Sequence, residues 1–154
     1  MTDGKVVSIN ISLKKGVKKT PIKEGVFIKN YGLKDDAHAG NWHRQVSLLS
    51  IESIEKMESE KIEFKEGDFA ENITTKGIKV YNLPVKTRLK VGEVILEISQ
   101  IGKKCHDGCE IKQMTGHCIM PKEGVFAKVI KEGLIKENDS IEILSQKQKG
   151  ERND

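Results

Sequence analysis

The sequence predicts a mainly β fold, a barrel or a sandwich, with one or two helices at its periphery. Short runs of β-branched and other apolar residues recur along the chain, and glycine, asparagine or proline separates them about every 8 to 12 residues. The chain has 154 residues, of which 36% are hydrophobic and 32% charged, so it is long enough to bury one core. We expect a single domain over residues 1–144 and a polar, disordered tail over residues 145–154.

The individual elements follow from local patterns. A first strand is predicted at residues 6–11, where β-branched residues alternate with polar ones. A helix is predicted at residues 51–60, because Ser50 suits the N-cap, Glu52 suits the first turn and apolar residues recur at helical spacing. Residues 66–74 should form a turn that leads into a short strand. Further strands are expected at residues 25–29, 45–49, 78–81, 85–89, 94–101 and 140–144, and residues 124–130 fit a strand or a short mixed segment.

Composition excludes several classes of function. The net charge of +4 is mild and the lysines are interspersed with glutamates, so no nucleic-acid-binding surface is expected. No apolar run approaches the length of a membrane span, and the first residues lack the pattern of a signal peptide. We therefore expect a cytoplasmic location and no membrane partner. In a reducing compartment, thiols more often serve catalysis or metal binding than disulfides.

Cys105 is the candidate for the reactive residue. All three cysteines and two of the four histidines lie within residues 103–121. Lys103 and Lys104 directly precede Cys105, and nearby cations stabilise a thiolate and lower the pKa of the thiol. A thiolate can attack an electrophile, carry sulfur as a persulfide or bind a soft metal. The sequence thus predicts one of these chemistries at Cys105.

Cys109, His117 and Cys118 offer further sulfur and imidazole ligands in the same segment. Together with Cys105 they could build a zinc site, although their spacing differs from the paired two-residue gaps of the common zinc patterns. Cys109 or Cys118 could instead be a resolving thiol for Cys105, or these residues could serve packing alone. All three interpretations stay open at this point.

An earlier irregular segment, residues 30–44, is too rich in chemistry for a simple linker. Its Asp36, His38 and Arg44 offer a carboxylate, an imidazole and a guanidinium, which can grip a polar ligand or orient a catalytic water. Trp42 in the same segment is expected to serve packing. Further along the chain, Asn72 suits ligand binding and turn formation equally well.

Five motifs follow one another in an order that carries information. They are Gly32-x-x-Asp35-Asp36-Ala37-His38, Arg44-Gln45-Val46-Ser47-Leu48-Leu49, Gly67-Asp68-Phe69-Ala70-Glu71-Asn72-Ile73, a lysine pair before Cys105, and Gly124-Val125-Phe126 with a closing Asn138-Asp139. In this order they resemble the MOSC domain, which occurs at the C-terminus of molybdenum cofactor sulfurases and as small stand-alone bacterial proteins. The resemblance runs from about Val6 to Leu144.

The resemblance implies a barrel-like β fold with a cleft that binds the molybdenum cofactor or a metal–sulfur species. Cys105 matches the cysteine of the family, for which the proposed roles are to carry sulfur as a persulfide or to ligate the metal. The residues expected to bind the cofactor are Asp36, His38, Arg44, Asn72, Lys103 and Lys104.

Three departures from the family pattern affect these expectations. Asp35 stands where the family usually has glycine, so the turn before Asp36 could differ. Asn138 also occupies a usual glycine position, which asparagine tolerates because it reaches left-handed backbone angles readily. Lys103 and Lys104 stand where the family often has arginine and proline, and lysine keeps the charge but loses the bidentate fork.

The expected function is the handling of a molybdenum or tungsten cofactor, with Cys105 accepting or transferring sulfur or coordinating the metal. The chain shows no pyridoxal-phosphate site of its own, so we expect a separate sulfur-donor protein and a molybdoenzyme acceptor as partners. One alternative is a molybdenum-cofactor-dependent reductase of N-hydroxylated compounds. Another is a non-catalytic protein that binds the cofactor or zinc.

Overall fold

The computed structural model describes residues 3–14, 17–56, 64–102 and 123–145. Within these ranges the protein is mainly β, as predicted. The strands in chain order are β1 (Gly4–Ile11), β2 (Thr20–Ile22), β3 (Glu24–Ile28), β4 (Gly32–Leu33), β5 (Val46–Ser50), β6 (Ile73–Lys76), β7 (Arg88–Val91), β8 (Val94–Ile101), β9 (Val125–Lys131), β10 (Gly133–Lys136) and β11 (Ser140–Ser145). A helix, α1, spans Ile51–Glu55, and a 3₁₀ turn spans Val80–Asn82. All but the first residue of the predicted polar tail lies outside the described residues.

Seven strands close into a barrel in the order β11-β7-β8-β9-β5-β6-β1, because β1 also pairs with β11. Strands β5 and β6 pair in parallel, and the other neighbours in the ring pair antiparallel. Strand β2 extends this sheet beyond β1, and β3 forms a second sheet with β4 and β10. Closure decides between the two predicted architectures in favour of the barrel, which leaves no free edge in the ring.

The barrel encloses an apolar core to which alternate residues of the strands contribute. In β8, Val94, Leu96 and Ile98 belong to the core and are 0% exposed, whereas the residues between them are half-buried. This period of two is what a sheet with one buried face requires. Complete burial of one such side chain stabilises the fold by about 1.5–3 kcal/mol.

Helix α1 begins as predicted. Ser50 is its N-cap, and the Ser50 hydroxyl accepts a hydrogen bond from the backbone N–H of Ser53 over 3.1 Å. The helix ends at Glu55 with Lys56 as its C-cap, and residues 57–60 of the predicted helix lie outside the described residues. No helix within the described ranges has the length and apolar character needed to cross a membrane.

Two predicted strands differ from the structure for identifiable reasons. Residues 78–81 alternate like a strand because Ile78 and Val80 belong to the barrel core, but Val80 reaches the core from the 3₁₀ turn and not from a strand. The strand predicted at residues 85–89 begins only at Arg88. Lys86 has a φ of 85°, which lies outside the β region and ends any earlier extension of β7.

The sequence analysis also missed the short strands β2, β4 and β10. Pro21 lies within β2. Because β2 is the last strand of its sheet, the missing N–H of proline costs no hydrogen bond there. Asn138 has a φ of 72°, so it adopts the left-handed conformation expected for its position.

Candidate functional site

Residues 34–45, here called the site loop, join β4 to β5 and lie on the outside of the barrel. Backbone hydrogen bonds hold the loop down: Ala37 N donates to Ser12 O over 2.9 Å, and Gly40 N donates to Tyr31 O over 2.8 Å. Phe126 of β9 is 1% exposed although it is not part of the barrel core. It is buried because side chains of the site loop cover it.

In the turn that starts the site loop, Asp35 has a backbone conformation that is typical of glycine. Asp35 has a φ of 70°, in the left-handed region that glycine adopts freely and aspartate adopts at some cost. Asp35 therefore adopts a backbone conformation that a glycine would adopt at this position. As a result, Asp36 and His38 follow a turn of the expected kind.

Asp36 is enclosed completely and bonded on several sides. Its Oδ1 accepts hydrogen bonds from Lys19 Nζ over 2.9 Å and from Ser12 N over 3.1 Å, and its Oδ2 accepts one from His38 N over 3.0 Å. The side chains of Lys19 and Asp36 are 2% and 0% exposed. Burial opposes ionisation, but the hydrogen bond and charge of Lys19, helped by Ser12 N–H and the Asn72 amide, hold the pKa of Asp36 below its usual value.

Asn72 joins three strands of the barrel. Its Oδ1 accepts a hydrogen bond from Ser47 N over 3.0 Å, and its Nδ2 donates to Asn10 O over 3.3 Å. Its backbone N–H donates to Ser47 over 2.9 Å, and its carbonyl accepts from Asn10 N over 2.7 Å. Asn72 is 0% exposed, so in this structure its amide connects β1, β5 and the start of β6.

Glu71, the neighbour of Asn72, is a buried carboxyl group with one unused oxygen. Its Oε2 accepts hydrogen bonds from Thr74 Oγ1 over 2.6 Å and from Gly67 N over 3.0 Å, whereas the buried Oε1 has no partner. Burial raises the pKa of Glu71 to about 7, against the opposing effect of those hydrogen bonds. We call Lys19, Asp36, Glu71 and Asn72 the polar support: Asp36 belongs to the site loop, and the other three are buried polar residues of the segments next to it.

The other side of the site loop is aromatic. The ring centroid of His38 lies 5.5 Å from that of Trp42 and 6.3 Å from that of Phe126, and the rings of His38 and Phe126 are within 16° of parallel. Trp42 Nε1 donates to His38 O over 3.0 Å, so Trp42 packs within the loop as predicted. His38 Nδ1 lies 3.4 Å from Arg44 O.

Arg44 stacks on two of these rings and keeps an unused donor. Its guanidinium carbon lies 4.7 Å from the centroid of Trp42 and 5.6 Å from that of Phe126. Arg44 Nε is buried and has no hydrogen-bond partner. Among the described residues Arg44 forms no ion pair, so no described carboxylate compensates its charge. We call His38, Trp42, Arg44 and Phe126 the arginine–aromatic cluster.

The end of β8 adjoins this cluster. His43 Nε2 and Gln100 Oε1 are 2.8 Å apart, and Gln100 Nε2 donates to Gly102 O over 2.7 Å. Gly102 N donates to Gly124 O over 2.6 Å, so the chain leaves the described region at Gly102 and returns to it next to the same strands. The predicted site residues Lys103, Lys104, Cys105, Cys109, His117 and Cys118 all lie outside the described residues.

The structure brings Asp36, His38 and Arg44 together in one loop and places Asn72 beside them through Asp36. Sequence reasoning missed Lys19, Glu71 and Phe126 as parts of this arrangement. Glu71 and Phe126 stand within the quoted motifs, which was the available signal. Lys19 gave no such signal, because it is one of several lysines in a basic loop that contains glycine. Within the described part of the chain, no three histidine, cysteine or acidic side chains converge as a metal site.

Comparison with known proteins gives a family and a fold. The family model described as MOSC domain matches residues 35–142. The crystal structure of the YuaD protein from Bacillus subtilis is similar with a TM-score of 0.76 at 18% identity, covering 93% of this chain and 96% of that one. A search of curated proteins found no match.

Two structures of YiiM are also similar. YiiM from Geobacillus stearothermophilus has a TM-score of 0.66 at 21% identity, covering 90% of this chain and 74% of that one. YiiM from Escherichia coli has a TM-score of 0.62 at 18% identity, covering 92% and 70%. At these identities the likeness shows a shared fold.

Proposed function

This chain belongs to the MOSC domain family, and from that premise we propose that it binds a molybdenum or tungsten cofactor and carries sulfur on Cys105. The family is associated with the molybdenum cofactor, so membership implies a function connected with it. The finer assignment, to a sulfur carrier, rests on the residues. It combines the anion-accepting character of Arg44 with the predicted reactivity of Cys105.

The observation that carries the proposal is the unused donor of Arg44. A buried N–H without a partner costs free energy, and a charged one costs more than a neutral one. A phosphate group bound to the partly exposed guanidinium of Arg44 would compensate its charge, and a guanidinium suits phosphate oxygens well because its donors form a planar fork. The residues present therefore fit an anionic, phosphate-bearing ligand such as the molybdenum cofactor. In this proposal Arg44 and His38 contact the ligand, and Lys103 and Lys104 add positive charge.

Asp36 and Asn72 have a supporting role in the proposed site. Both side chains are fully enclosed and already bonded within the protein, which favours a role in orienting the site loop. Asp36 does this directly, because it accepts the backbone N–H of His38. The sequence analysis expected Asp36 and Asn72 to bind the cofactor, whereas we now propose that they orient the site loop that binds it.

The proposed chemistry at Cys105 is transfer of one sulfur atom. The thiolate attacks the outer sulfur of a donor persulfide, R–S–SH, and the S–S bond of the donor breaks. Cys105 then carries the persulfide and R–S⁻ leaves, so that atoms and charge balance. When bound, the cofactor supplies the metal centre that needs the sulfur.

Mass spectrometry tests the sulfur-carrier step. The purified protein is incubated with a persulfide donor, and its intact mass is compared with that of the Cys105→Ser variant. We expect the wild-type protein, the Cys109→Ser variant and the Cys118→Ser variant to gain one sulfur atom, and Cys105→Ser to gain none. An unchanged wild-type mass, or a gain that survives Cys105→Ser, would rule out this role for Cys105.

Calorimetric titration with a pterin phosphate tests the ligand site. Arg44→Met should lose affinity by about tenfold to a hundredfold, because charge-assisted hydrogen bonds to the phosphate are lost. Arg88→Met is the matched control, since Arg88 is exposed and already paired with Glu97 over 3.0 Å. Equal affinities of the two variants would remove Arg44 from the site.

A further inference from the structure

Glu71 lies in a closed space between β1, β6 and the turn that precedes β6. It is 0% exposed, and only one of its two oxygens has hydrogen-bond partners. An ionised carboxylate can accept about four hydrogen bonds, and an unsatisfied buried oxygen is far more costly when charged than when it is a neutral O–H. The geometry alone therefore favours a neutral carboxylic acid at this position.

The surroundings of Glu71 supply no charge that would compensate ionisation. Strand β1 presents the neutral side chains Ser8 and Asn10 to this space, and β6 presents Thr74. The charged residues of the neighbouring segments are committed elsewhere or exposed: Lys19 pairs with Asp36, Asp68 accepts Lys65 N, and Glu66 and Lys76 are partly or fully exposed. In the described part of the chain, no ion pair reaches Glu71.

The turn that Glu71 holds is strained and rests directly on Lys19. Gly67 has a φ of 89°, and a Cβ at this position would lie 2.2 Å from Lys19 O. Ala70 has a φ of 64°, which costs an alanine roughly 1–2 kcal/mol. The Glu71 carboxyl accepts Gly67 N, and Gly67 O in turn accepts Lys19 N over 2.8 Å. Contact thus runs from Glu71 through Gly67 to Lys19.

From Lys19 the same contacts continue into the site loop. Lys19 Nζ binds Asp36 Oδ1, and Asp36 Oδ2 accepts the backbone N–H of His38. Four hydrogen bonds therefore connect the buried carboxyl group to the backbone of a residue in the arginine–aromatic cluster. A change in the protonation of Glu71 can therefore alter the position of His38 through these hydrogen bonds.

We propose that Glu71 is a positioning residue for the site loop: as a carboxylate it accepts the Gly67 N–H most strongly and holds Gly67 against Lys19, and its protonation weakens this support. Loss of the support shifts Asp36 and His38 and weakens anion binding at Arg44. Only the last step, ligand binding, rests on the proposed function. The change occurs near neutral pH, since burial raises the pKa of Glu71 to about 7.

Trp42 provides the measurement, because it is the only tryptophan of the chain and lies in the arginine–aromatic cluster. Its fluorescence is followed from about pH 5.5 to pH 8.5, a range that brackets this titration, without ligand. We expect a transition with a midpoint near 7 in the wild-type protein and its loss in Glu71→Gln. His38 and His43 also lie near Trp42, but they are present in both proteins, so the decisive quantity is the difference between the wild-type and Glu71→Gln profiles.

Two further variants keep the test decisive. Thr74→Val removes a hydrogen bond that favours the ionised form, so the transition should move to higher pH. Glu66→Gln removes a carboxylate from the same turn and should keep the wild-type profile. A wild-type profile in Glu71→Gln, a transition lost in Glu66→Gln, or no transition in the wild-type protein would overturn the proposal.

Ligand affinity separates this inference from the proposed function. Affinity for a pterin phosphate should fall severalfold as the pH is lowered through the transition in the wild-type protein and change less in Glu71→Gln. If no variant binds the pterin phosphate at any pH, the proposed function fails. The fluorescence titration would still decide whether Glu71 positions the site loop.

Discussion

The polar support and the arginine–aromatic cluster lie on two sides of the same loop but satisfy their polar groups differently. Asp36 uses both of its oxygens inside the protein, and its side chain is 0% exposed. Arg44 is half-buried, stacks on rings and leaves its Nε without a partner. A group whose bonds are all used internally is fixed as structure, whereas a group with unused capacity near the surface can meet a ligand.

Glu71 refines this contrast, because it also has an atom without a partner. The Glu71 residue is 0% exposed and its Oε1 is buried, so no ligand reaches this oxygen from solvent. The unpartnered oxygen of Glu71 therefore bears on protonation, whereas the Arg44 side chain as a whole is partly exposed and is proposed to bind a ligand. Exposure decides which of the two consequences follows.

The largest effect is expected when the polar support loses its cation. Lys19→Met leaves the buried carboxylate of Asp36 without its ion-pair partner, which typically costs about 3–5 kcal/mol. Urea unfolding would measure this loss. Lys56→Met is the control: Lys56 also pairs with a carboxylate, that of Glu123, but its side chain is 53% exposed, so little change is expected.

The pH dependence of the free energy of unfolding, measured for the wild-type protein and for Lys19→Met, provides a second check. In the wild-type protein the pKa of Asp36 is lowered, so its contribution to stability is present above the unfolded-state pKa and is lost as pH falls through the folded-state pKa. The difference between wild type and Lys19→Met should therefore shrink in acid. A difference that stays constant would show that Lys19 stabilises the fold by packing and not through Asp36.

A smaller effect of opposite sign is expected at the strained turn. Ala70→Gly should stabilise the protein by about 0.5–1 kcal/mol. Glycine adopts a φ of 64° without the steric cost that alanine bears, and the greater conformational entropy of glycine in the unfolded chain offsets part of this gain. Ala37→Gly in the site loop is the matched control, since Ala37 has no positive φ and should be destabilised. Thermal unfolding of both variants would test this, and a destabilised Ala70→Gly would show that the turn stores no strain.

Sequence reasoning predicted the barrel, and it selected Arg44 and His38 of the site loop, but it did not find the residues that support the loop. Strand periodicity is a local property, which is why β8 was predicted at residues 94–101 as the structure has it. Arg44 and His38 were found because their side chains have few structural uses in an irregular segment. Both kinds of signal can be read from neighbouring residues alone.

Lys19 and Glu71 could not be found in this way. The pairing of Lys19 with Asp36 arises because the chain returns past β1, which no local pattern encodes. Glu71 resembles any glutamate in a turn until the covering segments are known, and its burial depends on their packing. The 3₁₀ turn at Val80–Asn82 was missed for the same reason. Val80 is apolar because it packs in the barrel core, and the local pattern does not show from which kind of element it does so.

The smallest change in stability is expected at Arg44, where the largest loss of binding is proposed. Methionine keeps a soft, flexible contact with the rings of Trp42 and Phe126 and removes a buried N–H that has no partner. The free energy of unfolding of Arg44→Met should therefore stay within about 0.5 kcal/mol of wild type, as measured by Trp42 fluorescence in urea. If Arg44→Met were destabilised as strongly as Lys19→Met, Arg44 would be a structural residue like Asp36, and the contrast between the two sides of the loop would no longer identify the ligand-binding side.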